Sequence, residues 1–261
     1  MCGHSIESEL SRQASGGKVM TQCSTLRDSQ ALAAVHSARQ PYGEIAVRLS
    51  GVITTLLFAL LFPIAIYAQD VSTQLLDAAK KGDVDSLRAQ IEKGIDVNSK
   101  NGDGRTALME AAFLGRADCA KLLLEKGADA NVKDKEDRTA LIEAAGPGHI
   151  LIVQVLLEKG ANLNAKSKEG STALIEAASN NRAEVVKALL AKGANADDKD
   201  KEGRTALILA ANWGHANATQ VLIDKGANVN AKDKYGYTAL MYAKREKHTE
   251  VVDALAKAGA K

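Results

Sequence analysis

Asp200–Lys201–Glu202–Gly203–Arg204–Thr205–Ala206–Leu207 is followed by Ala210–Ala211, Gly214–His215, Val221–Leu222–Ile223 and Lys225–Gly226–Ala227–Asn228–Val229–Asn230–Ala231. The stretch is one copy of a repeating unit. Its Thr–Ala–Leu recurs at Thr106, Thr139, Thr172 and Thr238, always 33 residues apart. Gly94, Gly127, Gly160, Gly193, Gly226 and Gly259 keep the same step, as do the pairs Ala111–Ala112, Ala144–Ala145, Ala177–Ala178 and Ala210–Ala211. Independent markers with one period and no insertions define a stack of identical supersecondary units, each unable to bury its apolar face alone.

Within a unit the residues spell two helices. Thr205 suits an N-cap, where a hydroxyl accepts from an otherwise orphaned backbone N–H. Leu207, Ala210 and Ala211 recur three to four residues apart and give one apolar face. The alanine pair lets neighbouring helices approach closely. Gly115, Gly148 and Gly214 suit the left-handed residue that ends a helix, and Asn181 stands in for glycine there. A second helix carries Leu122–Leu123–Leu124 or its equivalents and closes at Gly127 and its kin. Asn98, Asn131, Asn164 and Asn230 fall in the following turn, where Asn can bond nearby backbone.

These motifs resemble the ankyrin repeat from about Val71 to Lys261. The resemblance implies an all-α solenoid of helix-turn-helix units with β-finger loops, and six units: 71–100, 101–133, 134–166, 167–199, 200–232 and 233–261. The first lacks the finger. Two departures stand out. The family usually has Pro after the Thr, where all five full units have Ala. It also usually has His two places further on, where this chain has Met109, Ile142, Ile175, Ile208 or Met241. The inter-repeat Thr–His bridge is therefore expected to be missing and replaced by apolar packing.

The first 68 residues differ in kind. Residues 1–44 are polar without periodicity. From Leu49 to Gln69 there is no charge, and Gly51–Phe62 is strongly apolar. Arg48, the apolar run, Pro63 and the end at Ala68 form a signal peptide over 47–68, cleaved before Gln69. The alternative is an uncleaved membrane anchor over 49–68, since about 20 apolar residues can span a bilayer. A start at Val47 would give a signal of ordinary length and leave 1–46 a mis-annotated or disordered extension. The protein is then expected to be periplasmic or secreted.

Composition narrows the function. The 261 residues carry 34 Lys+Arg against 32 Asp+Glu with no basic block, which argues against nucleic acid. The cysteines Cys2, Cys23 and Cys119 offer neither a disulfide framework nor zinc spacing. No P-loop, dinucleotide fingerprint, nucleophile elbow or HExxH occurs. No cofactor, metal or small-molecule substrate is expected.

His149, His215 and His248 share one register but sit in different units, spaced too widely for a metal. Glu110, Glu143 and Glu176 form a row, read as a solvated acidic rung row without a nucleophile beside it. Cys119 falls on a core position and reads as a small buried hydrophobe. Asn217–Ala218–Thr219 matches a glycosylation sequon but lies mid-helix.

The leading expectation is a non-catalytic, monomeric protein-binding module, exported, or a membrane-anchored scaffold if the signal is retained. Stacked fingers and inner helices offer an extended surface. Candidate partner-binding residues are Trp213, Tyr235, Tyr237 and Tyr242, expected on one stretch of the concave side. Phe113, the Glu110–Glu143–Glu176 row and the finger residues Arg105, Arg138 and Arg204 complete the set. Aromatic residues are only 3% of the chain, so their crowding into the last two units is informative.

Overall fold

The computed structural model describes residues 73–261; the readings placed on 1–46 and 47–68 lie outside the described residues. No helix among the described residues is long and apolar enough to cross a membrane.

Every full unit is a tight finger followed by a short inner and a longer outer helix. In unit 101–133 the finger closes through Asn101 N–H donating to Arg105 O at 3.0 Å. The inner helix is Ala107–Phe113 and the outer Ala117–Glu125. The inner helices of the next four units are Ala140–Ala145, Ala173–Ser179, Ala206–Asn212 and Ala239–Arg245. Their outer helices are Ile150–Glu158, Ala183–Ala191, Ala216–Asp224 and Thr249–Lys257. The first unit supplies helical residues 73–81 and the helix Val84–Glu92.

The fold is all-α, as expected. The fingers are turns, and two of the five carry a single antiparallel bridge, Lys100 with Thr106 and Lys232 with Thr238.

The helices form for the reasons legible in sequence. The side chains of Thr106, Thr172, Thr205 and Thr238 accept from the backbone N–H three residues on. Thr139 does not; its hydroxyl is buried without a partner. Inner helices end on left-handed residues, including Gly115, Gly148, Asn181 and Gly214, and also Lys247 at φ 62°. At Gly115 two demands coincide, since an added Cβ would lie 2.5 Å from the His149 ring. Pro147 falls just past the second full unit's inner helix, which stops at Ala145.

The core runs unbroken along the stack. The alanine pairs are fully buried between inner helices, and Leu123, Leu156, Leu189 and Leu222 seal the outer helices. Each such leucine contributes about 2 kcal/mol of burial. Met109, Ile142, Ile175 and Ile208 are buried too, so apolar packing fills the place of the family histidine in four units, whereas Met241 in the last unit, with no unit stacked beyond it, is 44% exposed. Cys119 is buried, and burial pushes its thiol pKa up, the reverse of a reactive cysteine. Ala218 and Thr219 of the sequon are wholly buried.

Polar ties sew each unit to the next. Backbone N–H groups of Lys135, Lys168, Lys201 and Lys234 donate to carbonyls of the preceding finger at 2.8–3.0 Å. Asn98, Asn131 and Asn230 accept from backbone N–H groups 31 residues ahead, at Asp129, Asn162 and Lys261. Their bonds therefore reach the next unit rather than the nearby backbone that the sequence suggested. The histidine register is a third seam: His149, His215 and His248 reach back through Nε2 to the carbonyls of Phe113, Ser179 and Asn212 at 3.0–3.1 Å. Arg116 and Arg182 make the same reach with Nε, to Lys80 O and Gly146 O. These histidines are structural, and no metal-holding group of His, Cys, Asp and Glu occurs among the described residues.

Candidate binding face

Fingers and inner helices together build one face, whose chemistry follows three rows of residues in 33-step register. At the finger base stand Asn101, Asp134, Ser167, Asp200 and Asp233. Four residues on come Arg105, Arg138, Ser171, Arg204 and Tyr237. On the inner helix come Glu110, Glu143, Glu176, Leu209 and Tyr242.

The base row shapes the fingers. Oδ1 of Asp134, Asp200 and Asp233 each accepts two backbone N–H bonds, two and four residues on. Asn101 does the same. Ser167 keeps only the longer reach, to Ser171 N–H at 3.2 Å.

The other two rows join into a ladder over units 101–133 to 167–199. Arg105 donates from Nε to Glu110 at 2.8 Å and from Nη1 to Glu143 of the next unit at 3.0 Å. Its Nη1 also lies 3.5 Å from Asp134. Arg138 repeats the move, with Nε on Glu143 at 2.6 Å and Nη1 on Glu176 at 3.4 Å. Glu143, only 3% exposed, is gripped by two guanidiniums.

The expectation of a solvated acidic row is therefore corrected: Glu110 and Glu143 are buried, and Glu176 is half-buried. A buried carboxylate is tolerable only when paired and bonded. Burial works against the charge of Arg105 and Arg138, yet the bonds and charges of Glu143 and its neighbours outweigh it, and both pKa values are raised. Four carboxylates share two guanidiniums here, so the ladder keeps a negative excess. A groove of about 620 Å³ runs over it, bounded by Phe113, whose ring lies 6.0 Å from the Arg105 guanidinium.

The ladder stops at Ser171 and Leu209. Arg204, without a carboxylate on its own inner helix, folds back on Asp200 with both Nε and Nη2 at 2.8 Å. Beyond it the chemistry turns aromatic. Tyr242 donates its hydroxyl to Asp233 at 2.7 Å, and its ring packs 5.5 Å from Tyr237. Burial and that bond push the Tyr242 pKa up to about 12. Asp233 is buried, which raises its pKa, but the Tyr242 hydroxyl and two backbone N–H groups win and lower it. The Arg245 guanidinium lies over the Tyr242 ring, 4.7 Å from its centroid. Tyr235 is 64% exposed and donates to Glu202 of the previous finger at 2.8 Å.

The predicted aromatic set thus divides. Tyr237 and Tyr242 group with Asp233, and Tyr235 with Glu202. Trp213, 60% exposed, instead walls a notch with Glu176, Ser179, Arg204 and Leu209. The sequence reading missed the base-row aspartates and the arginine–glutamate ladder. The signal was present, as an arginine five residues before a glutamate in two successive units.

A family model for ankyrin repeats matches residues 45–134, 75–167, 127–200 and 174–261. The chain belongs to the ankyrin-repeat family. Among solved structures, an ankyrin repeat domain from Acinetobacter baumannii is 32% identical at a TM-score of 0.66, covering 72% of this chain and 98% of its own. The human ASB11 ankyrin repeat domain is 30% identical at the same TM-score, with coverage of 72% and 84%. No curated protein matches. Ankyrin repeats are in general protein–protein interaction modules, and this solenoid has their helix pairs, fingers and interlocked units.

Proposed function

We propose that this ankyrin chain is a non-catalytic module that binds a protein partner through the finger and inner-helix face and acts outside the cytoplasm. The observation that carries the reading is the exposure of Phe113, Trp213, Tyr235 and Tyr237 on that face, with the carboxylates beside Phe113 and Trp213 already held by arginine. Rigid aromatics of this kind dominate interface energetics. A carboxylate held by one or two guanidiniums is poorly placed to shuttle protons, which supports the non-enzymatic reading. The apolar run before Gln69 supports export, with an uncleaved anchor over 49–68 as its rival.

Crosslinking capture from the native envelope fraction tests the reading. The full chain, a Trp213→Ala/Tyr237→Ala double variant and a Leu151→Ala control on the exposed outer helix are compared. The captured partner should fall at least tenfold with the double variant and stay with the control, at unchanged melting temperature. Equal capture by all three sinks the face assignment. N-terminal sequencing of the same preparation should begin at Gln69; residues before Val47, or retention after carbonate washing, favour the anchor.

A further inference from the structure

The ladder has a gap, and the gap has a shape. In units 101–133 and 134–166 an arginine five residues before the inner-helix glutamate donates to it, Arg105 to Glu110 and Arg138 to Glu143. In unit 167–199 the glutamate persists as Glu176 but the arginine is Ser171. Glu176 is left with Arg138 of the preceding unit at 3.4 Å, a longer reach than the 2.6–2.8 Å Nε bonds of the other two glutamates. Its side chain is correspondingly more open, 22% against 10% and 4%. Arg204 of the following unit does not compensate, because Asp200 holds it.

A notch of about 290 Å³ lies there. Its floor is Ile175 and Leu209, both buried and apolar, and its wall is the exposed Trp213. Of the three carboxylates that line it, Asp200 is held by Arg204 at 2.8 Å and the exposed Glu169 faces Lys201 at 3.7 Å, which leaves Glu176, with only the long reach of Arg138, as the one open to a further guanidinium.

We propose that this notch is a binding site for an arginine side chain presented by the protein partner. The guanidinium takes the place beside Glu176 that Arg105 and Arg138 take beside Glu110 and Glu143. Its aliphatic stem lies over Ile175 and Leu209, since long cationic side chains bury their stems while the head stays polar. Trp213 stacks on the guanidinium plane, a contact strongest for this ring and for arginine. Planar fork geometry favours arginine over lysine, because the ladder's own bonds use Nε and Nη of one guanidinium. The proposal rests on the protein-binding reading and names the chemistry of one contact within it.

Trp213 is the sole tryptophan of the chain, so its fluorescence reports this notch directly. The full chain is titrated with acetyl-Gly-Arg-Gly-amide, with its neutral citrulline counterpart and with its lysine counterpart. A saturable response to the arginine peptide is expected in the millimolar range, at least tenfold weaker for lysine and absent for citrulline. Ser171→Arg, which closes the ladder from within, abolishes the response and raises the melting temperature. Glu176→Gln weakens the response at least tenfold, and carries the test should Ser171→Arg not fold. An unsaturable response, equal binding of citrulline or lysine, or a response unchanged in either variant overturns the site. No partner is needed here, so such a failure removes the notch alone, while failure of the capture experiment removes the face.

Discussion

Units 101–199 and units 200–261 share one backbone plan yet solve the same electrostatic problem differently. The earlier units bury carboxylates on the inner helix and hold them with arginines that span two units at a time. The later units drop the inner-helix carboxylate, as Leu209 and Tyr242, and keep the acid at the finger base. There Asp200 binds Arg204 within its own finger and Asp233 binds Tyr242 within its own unit. The ladder therefore couples neighbours, whereas the later pairs serve only their own unit. In a stack whose stability is a sum of unit and interface terms, the first arrangement adds to interfaces and the second to units.

The largest test of that contrast is Glu143→Ala. It leaves Arg105 and Arg138 without their shared carboxylate in a buried setting, and should cost about 3 kcal/mol, the usual penalty for breaking a buried pair from one side. Urea unfolding followed by circular dichroism measures it, and a cost near that of a single surface pair would dissolve the distinction.

Next comes Tyr242→Phe, which removes one hydroxyl from the local pair and should cost about 1 kcal/mol at neutral pH. Two pH windows mark this pair. The folded Tyr242 pKa lies above its unfolded value near 10, so its contribution is full below pH 10 and fades as pH rises toward about 12. The folded Asp233 pKa lies below its unfolded value, so its contribution is present above the ordinary carboxylate range and is lost as pH falls through the folded pKa. The melting difference between wild type and Tyr242→Phe should therefore shrink from pH 9 to pH 12. A constant difference would mean that the hydroxyl–carboxylate bond contributes nothing.

The smallest effect sets the baseline for both. Thr172→Val removes a working cap and should cost about 1 kcal/mol, whereas Thr139→Val removes a buried hydroxyl that caps nothing and should cost under about 0.5 kcal/mol. Thermal melts of the two variants decide it; equal losses would show that position in the stack, not the bond, governs the cost.

The fold was legible almost throughout, because a strict 33-residue period states unit length, helix starts and helix ends together. Even the exceptions spoke clearly: Asn181 where glycine was due, and isoleucine or methionine where histidine was due. The binding face was legible only in part. A row of glutamates on one helix face looks solvated when each helix is considered alone. Its burial follows from arginines five residues earlier and, across the unit boundary, 38 residues earlier. Only the second distance joins neighbouring units, and no single-helix pattern contains it. The aromatic set divides between two neighbourhoods for a similar reason. Trp213 sits at the end of an inner helix, so it meets the preceding unit's Glu176, while Tyr237 and Tyr242 meet Asp233 of their own.

The arginine ladder also sets how the stack would come apart under load. The finger stitches and the reach of His215 and His248 join only adjacent units, so tension applied at Lys261 meets them one at a time and peels the last units singly. On reaching Glu176 the pull meets a different joint. Arg138 and Arg105 each add an ion-pair joint to one boundary and meet on Glu143, so these two boundaries carry more than stitches and part at a higher load. The molecule is in mechanical terms a fraying end fastened to a rivet.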